Sequence, residues 1–192
     1  MNNYEYIIAS LPDLKPETRE GIDAGAVIEE VRRDLSERDA RELDFLLSAW
    51  DGTELDAGFY RKAAGSRCRF IREYFSFDLA LRNAKVRWLN SALGRAADTD
   101  TVQLSEDDIP VETDGIDAIL SGASLLDREL GLDRLVWDRV DELTALDIFD
   151  ADLVLAFAVK LKIVDRWMQL DADRGRKLLQ KLVTEIKETK TI

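Results

Sequence analysis

The chain has 192 residues, a formal net charge of −12 and no histidine. The missing imidazole excludes a Ser-His-Asp triad, a histidine general base and zinc sites with histidine ligands. The single cysteine, Cys68, excludes an internal disulfide and a cysteine-rich metal cluster. Because arginines flank it, its pKa should be lowered if it is exposed, whereas a buried Cys68 would be inert. The apolar share of 46% predicts a helical unit with its own core.

No segment predicts export or a membrane span. The first 14 residues carry no basic stretch ahead of the short apolar run at 6–11. The longest apolar run, at 153–159, is far shorter than the roughly 20 residues of a bilayer span. We therefore expect a cytoplasmic protein of a reducing compartment, in keeping with its lone thiol.

The charge is unevenly distributed along the chain. Acids exceed bases by 15 to 6 in residues 1–58, by 8 to 0 in 96–117 and by 9 to 3 in 118–159, whereas bases exceed acids by 9 to 2 in 59–95 and by 9 to 5 in 160–192. The basic stretches either neutralise neighbouring acidic helices or leave one face open to an acidic partner. Nucleic acid is not an expected partner, because the molecule as a whole repels phosphates.

The N-terminal part of the sequence predicts two capped helices. Asp23 is expected to cap a helix that reaches about residue 35. Ser36 and Asp39 form a capping-box-like start for the next helix, whose apolar positions are Ala40, Leu43, Leu47 and Trp50. A short helix is expected over 55–64, and residues 4–9 fit either a strand or a helix.

The longest predicted helix covers residues 66–93 and ends at Gly94. Its first apolar stripe consists of Phe70, Tyr74, Phe77, Leu81, Ala84 and Trp88. A second stripe consists of Ile71, Phe75, Leu79, Val86, Leu89 and Leu93. Two adjacent stripes predict that most of the helix circumference is covered and that the helix forms the spine of its lobe.

An acidic stretch without helical periodicity, residues 96–115, predicts an exposed loop or linker. It divides the chain into a predicted N-terminal helical lobe, 1–95, and a C-terminal helical lobe, 116–192, packed together as one compact unit. The predicted fold class is all-α, a multi-helix bundle.

The second lobe is expected to begin with three helices separated by glycines. Gly122 and Gly131 are expected to delimit helices over 116–120, 125–130 and 132–146. Asp150 is then expected to cap a helix that reaches about residue 168. A last, basic helix is expected after residue 171.

Metal chemistry has candidate residues only in the acidic linker. Asp98 and Asp100 begin like an EF-hand loop, but its glycine at the sixth and glutamate at the twelfth position are missing. Residues 107–112 resemble the aspartate-rich motif of helical prenyl-diphosphate enzymes, although Pro110 breaks the helix that such a motif requires. We therefore expect no catalytic, cofactor-binding or metal-binding residues.

Two basic helices each carry an Arg-Trp pair. The pairs are Arg87 with Trp88 and Arg166 with Trp167. Each tryptophan is expected to close the end of its bundle, while the arginine extends to solvent or pairs with an acid. The predicted partner-contact or lobe-docking residues also include two polar residues of the spine helix; the set is Arg82, Asn83, Arg87, Trp88, Arg166 and Trp167.

Three segments resemble an uncharacterised bacterial family that is usually found beside the subunits of bacterial V-type ATPases. They are residues 4–14 (YEYIIASLPDL), 77–90 (FDLALRNAKVRWLN) and 149–167 (FDADLVLAFAVKLKIVDRW). The pattern is in turn similar to the C/d-type subunit of V/A-type ATPases, an all-helical funnel that couples the central stalk to the membrane rotor ring. Full C/d-type subunits have three lobes, so this chain is expected to supply about two.

The resemblance implies a non-catalytic C/d-like connector or accessory protein. Its expected partners are central-stalk subunits and the rotor ring, and its expected location is cytoplasmic, peripheral at the inner membrane through the ATPase. Two alternatives stay open: an unrelated cytoplasmic helical adaptor or regulatory binding module, and a magnesium-dependent helical enzyme that uses carboxylates.

Overall fold

The computed structural model describes residues 4–18, 21–104 and 115–170. These ranges contain helices and no strand, which confirms the all-α class. The helices are α1 (Glu5–Ser10), α2 (Ala24–Asp34), α3 (Glu37–Ser48), α4 (Ala57–Ala64), α5 (Arg69–Ala92), α6 (Ile116–Leu120), α7 (Leu125–Thr144) and α8 (Ala151–Met168). None of them is long and apolar enough to span a bilayer. The helix expected after residue 171 lies outside the described residues.

The predicted N-caps are confirmed by hydrogen bonds to backbone amides. The Asp23 side chain accepts from the amide of Ala26, and the Ser36 side chain accepts from that of Asp39. The Asp150 carboxylate accepts from the first amides of α8. These bonds satisfy donors that have no partner inside a helix, so they fix where each helix begins.

The structure decides one alternative that the sequence leaves open and overturns one expected helix boundary. Within the stretch at 4–9, residues 5–9 are helical and form most of α1, and Tyr4 is its N-cap. The expected break at Gly131 is wrong, because α7 runs unbroken through that residue. A Cβ at Gly131 would lie 2.8 Å from Cγ2 of Ile119, which is closer than real side chains approach. The glycine is therefore needed for close packing of α6 on α7 and does not end a helix.

An aromatic core joins the helices on both sides of the predicted linker. Phe59 and Phe75 meet edge to face, with ring centroids 5.0 Å apart, and are covered by neighbouring rings of α3, α4 and α5. Val140 of α7 and Val154 of α8 belong to the same cluster. The helices of residues 5–92 and 125–168 thus share one main core.

A second, smaller core cluster lies farther along α5. It joins α5 to α6 and α7 through Phe77, Leu81, Ile116, Leu120 and Leu132. Beyond Leu81, Ala84 and Trp88 of the first stripe still pack against this cluster, whereas Leu89 and Leu93 of the second stripe are 50% and 61% exposed. The expectation that both apolar stripes of this helix are covered is therefore wrong for the C-terminal end of the second stripe, at Leu89 and Leu93.

Candidate functional site

A cleft of about 260 Å³ opens between α5, α7 and α8, beside the C-terminal end of α3. Its floor is apolar and contains Tyr74, Phe75, Leu81, Leu132 and Ile163. Its wall carries seven charged side chains: Asp78, Arg82, Lys85, Glu129, Asp133, Lys162 and Arg166. Two of the six predicted contact residues, Arg82 and Arg166, therefore lie in one cleft, on helices from opposite sides of the linker.

The α5 side of the cleft is organised around Asp78. Its Oδ2 accepts hydrogen bonds from the Tyr60 hydroxyl and from Nε of Arg82, both at 2.7 Å. Burial, and after it the Asp78 carboxylate, raise the pKa of Tyr60, so this hydroxyl remains a donor at neutral pH. The network holds Arg82 on the surface of α5 at the cleft.

The α7 and α8 side is organised around Asp133. Its Oδ2 accepts from Nη2 of Arg166 at 2.5 Å and from the indole N–H of Trp167 at 2.6 Å. Arg166 also donates to Glu129 at 3.3 Å. The second Arg-Trp pair thus binds a single carboxylate on the neighbouring helix, which fixes both side chains against α7.

The lysines of the cleft are less engaged than its arginines. Lys85 is exposed and has no hydrogen bond or ion pair within the described ranges. Nζ of Lys162 lies 3.8 Å from Asp51, which is itself 67% exposed. Because the arginines already hold the three carboxylates, the two ammonium groups are the charges available to a bound molecule. The cleft is suited to a ligand with an apolar body and a carboxylate.

The remaining predicted contact residues lie outside the cleft. The Asn83 amide donates to the Val102 carbonyl at 2.8 Å and accepts from the Val102 amide at 2.9 Å. Nε of Arg87 donates to Asp98 at 2.8 Å. Both residues therefore tie the stretch after Gly94 to α5.

Trp88 is half-buried against the second core cluster. The guanidinium of Arg128 lies 5.2 Å from its ring centroid, a cation–π distance. The two Arg-Trp pairs thus have different surroundings, because Arg87 and Trp88 contact different elements whereas Arg166 and Trp167 share Asp133.

Several residues of this region were missed by sequence reasoning. Asn90 is 1% exposed and donates to the carbonyls of Ala97 and Thr99 at 3.0 and 2.7 Å. An asparagine inside a predicted helix is a usable signal, since it more often bonds to turns and caps. Glu129 with Asp133, and Lys162 with Arg166, are each four residues apart and so share one helix face.

Cys68 lies closer to the buried, inert alternative than to the exposed one. It is half-buried at the start of α5, and its thiol donates to Asp152 Oδ1 at 3.5 Å. Burial above all, with a contribution from the Asp152 carboxylate, raises the pKa of Cys68 to about 12. The neighbouring arginines do not make this thiol a ready nucleophile.

Metal-binding side chains do not gather in the part of the chain that the structure describes. There, no three acidic or cysteine side chains are placed so that they could hold an ion. The aspartate-rich segment at 107–112 lies outside the described residues, so its comparison with prenyl-diphosphate enzymes stays at the level of sequence.

Comparison with known proteins adds one partial match. Residues 107–190 are similar to DUF2764, a family described as proteins of unknown function. The match covers less than half of the 192 residues and includes the helices that supply Glu129, Asp133 and Arg166 to the cleft. No curated protein and no solved structure matches the chain.

Proposed function

We propose that this protein is a non-catalytic connector or accessory protein, similar to the C/d-type component of V/A-type ATPases. In this role it couples central-stalk subunits to the membrane rotor ring and is held at the inner membrane through the ATPase. Its own contribution is mechanical: it binds protein partners and transmits force through a rigid helical core.

The observation that carries the proposal is that the three resembling segments, distant in the sequence, meet in the fold. The Tyr4 amide of the first segment donates to the Phe149 carbonyl of the third at 2.8 Å. The second and third segments belong to α5 and α8, two helices that contact each other. They also supply Arg82 and Arg166 to one cleft. The three segments that carry the resemblance are therefore neighbours in the folded protein.

The size of the cleft favours a protein side chain as its occupant. At about 260 Å³ it is smaller than most small-molecule sites, which span about 300–1,000 Å³. One large apolar side chain with a neighbouring carboxylate would match the apolar floor and the two available lysines. Such a contact is typical of the anchoring residue of a protein interface.

Native pull-down tests the proposal. The tagged full chain is incubated with detergent-solubilised membranes of its host at low salt, and the bound proteins are identified by mass spectrometry. We expect recovery of central-stalk and rotor-ring subunits. A double variant, Lys85→Glu with Lys162→Glu, should weaken recovery, whereas Lys15→Glu, at a 72% exposed position outside the cleft lining, should not.

The outcomes separate the hypotheses. Recovery of no ATPase component by the wild type at low salt would overturn the connector proposal. Stoichiometric recovery of a different complex would favour the helical adaptor. If the wild type and the cleft variant recover the ATPase equally well, the connector proposal stands, but the cleft is not the surface that binds the ATPase.

A further inference from the structure

The turn between α7 and α8 presents apolar side chains to solvent. We call residues 145–150 the α7–α8 tip. Within it Leu146 is 94% exposed, Ile148 75% and Phe149 37%. Tyr6, 92% exposed, lies nearby, because Tyr4 just before α1 bonds to the Phe149 carbonyl. Single exposed apolar residues are ordinary, but three within four positions form a patch that marks a binding surface.

The tip is held in place by polar contacts, while its apolar side chains are exposed. Arg69 donates to the Leu143 carbonyl at 3.0 Å, to Asp147 at 2.6 Å and to Asp152 at 3.0 Å. One guanidinium thus ties the end of α7, the tip and the start of α8 to α5. A surface fixed before binding loses little conformational freedom when a partner docks.

The backbone of Phe149 adds a second sign of function. Its φ is +54°, in the left-handed region that residues with a Cβ seldom adopt. Glycine would fit this turn with less strain. A bulky apolar residue held there against local backbone preference, at a solvent-facing position, is a recurrent property of binding loops.

The charge around the tip is negative. Asp147 and Asp150 belong to it, Asp152 follows it in α8 and Glu5 follows Tyr4, which bonds to Phe149; Arg69 is the nearby cation. The single guanidinium of Arg69 pairs with both Asp147 and Asp152, so four carboxylates face one cation and the local charge stays negative. Such a surface repels anionic lipid headgroups and attracts lysine and arginine side chains.

The tip and the cleft are well separated. Lys162 and Arg166 lie 12 and 16 residues beyond Asp150 along α8, which corresponds to about 18–24 Å at the rise of an α-helix. A connector requires two such separate surfaces on one rigid body.

We infer that the α7–α8 tip is a second docking surface, whose Leu146, Ile148 and Phe149 enter an apolar pocket rimmed by lysine and arginine on a partner protein. The inference rests on the proposed function in taking that partner to be a component of the V/A-type ATPase. The tip would hold one partner while the cleft holds another.

Binding to the purified host V/A-type ATPase tests this surface. The enzyme is immobilised, and binding of the full chain is measured by interferometry. We expect Leu146→Asp with Ile148→Asp to lower the affinity by roughly tenfold or more, because two buried apolar anchors are lost. The matched control is Leu125→Asp with Leu126→Asp, at positions 73% and 56% exposed on the first turn of α7, which should leave affinity unchanged.

A photo-crosslinking residue at position 148 identifies what the tip touches. We expect a crosslink to a protein of the ATPase, at a peptide with apolar residues flanked by lysine or arginine, and a yield that falls as salt rises. A crosslink to lipid, or binding to phosphatidylglycerol vesicles that the tip variant abolishes, would overturn the inference in favour of a membrane site. A crosslink between two copies of the chain would overturn it in favour of self-association.

The two proposals fail in different ways. If the wild type does not bind the ATPase, both are overturned. If the wild type binds and the tip variant binds equally well, the connector proposal stands and the tip inference is overturned.

Discussion

The two halves of α5 show how one helix can be stabilised in two different ways. In the N-terminal half, Phe70, Ile71 and Phe75 are at most 1% exposed and lie inside the aromatic core. In the C-terminal half, Leu89 and Leu93 are half or more exposed. Polar bonds there add to the packing of Trp88 on the second cluster, because the Asn90 side chain binds the stretch that follows Gly94.

The difference between the two halves of α5 accounts for the position of the cleft. Asp78, Arg82 and Lys85 stand at the junction of the two halves, where apolar packing gives way to polar contacts. Charged side chains at this point are close enough to the core to be held in place and still reach solvent. The cleft therefore lies where the main aromatic core ends and the polar attachment of the C-terminal half begins.

The largest effect is expected from Phe75→Ala, in the N-terminal half. The Phe75 ring contacts four other aromatic rings, so its removal leaves a cavity in the main core. We expect the free energy of unfolding to fall by about 3–5 kcal/mol, measured by urea denaturation. Leu93→Ala, at the exposed end of the same helix, should cost under about 1 kcal/mol; equal losses would contradict the comparison.

The alkylation rate of Cys68 measures how accessible the start of α5 is to solvent. With its pKa raised from 9.0 to about 12, roughly a thousandfold less thiolate is present at pH 8 than for a free thiol. We expect alkylation by iodoacetamide to be slow in the folded protein and fast in urea. Because the raised pKa lies above the tested range, the folded-state rate should rise about tenfold per pH unit from 8 to 10. A plateau near pH 9 would show that the thiol is solvated.

Asn90→Ala tests the polar attachment of the C-terminal half. The substitution removes a side chain that is 1% exposed and is the donor to the carbonyls of Ala97 and Thr99. We expect a loss of about 1–3 kcal/mol in the free energy of unfolding. Gln169→Ala, which removes an exposed amide bonded to Asp165, is the control. If both variants unfold alike, polar bonds do not hold this half.

The smallest effect is expected at the ion pair between Arg87 and Asp98. The atoms lie 2.8 Å apart, but the side chains are 38% and 60% exposed, so water and salt screen the attraction. A double-mutant cycle with Arg87→Ala and Asp98→Ala should give a coupling energy under about 1 kcal/mol that falls further in salt. A salt-independent coupling above about 2 kcal/mol would show that this contact is structural.

The parts of the fold that could be predicted depend on neighbours in the sequence. The caps at Asp23, Ser36 and Asp150 each bond to an amide two or three residues away, so the local sequence contains both partners. The first stripe of α5 was predicted for the same reason, since helical spacing alone brings its members to one face. Gly131 was misread because its partner, Ile119, belongs to a different helix.

The candidate site could be predicted only in part. Arg82 and Arg166 were among the predicted contact residues, but their meeting in one cleft depends on how α5 and α8 pack. The exposure of Leu89 was not predictable from its spacing, because an apolar stripe does not show where its covering helix ends. The tip at 145–150 gave no periodic signal, and its significance comes from exposure, backbone angle and charge together.

At Gly131, the addition of a single carbon atom would disturb the packing between α6 and α7. Alanine there would favour the helix by about 1 kcal/mol on propensity, yet its methyl group would have to displace the branched side chain of Ile119. Ile119 packs on the second cluster, so the displacement would disturb the packing of that cluster. Gly131→Ala would thus change the α6–α7 joint from a position that lies outside both the cleft and the tip.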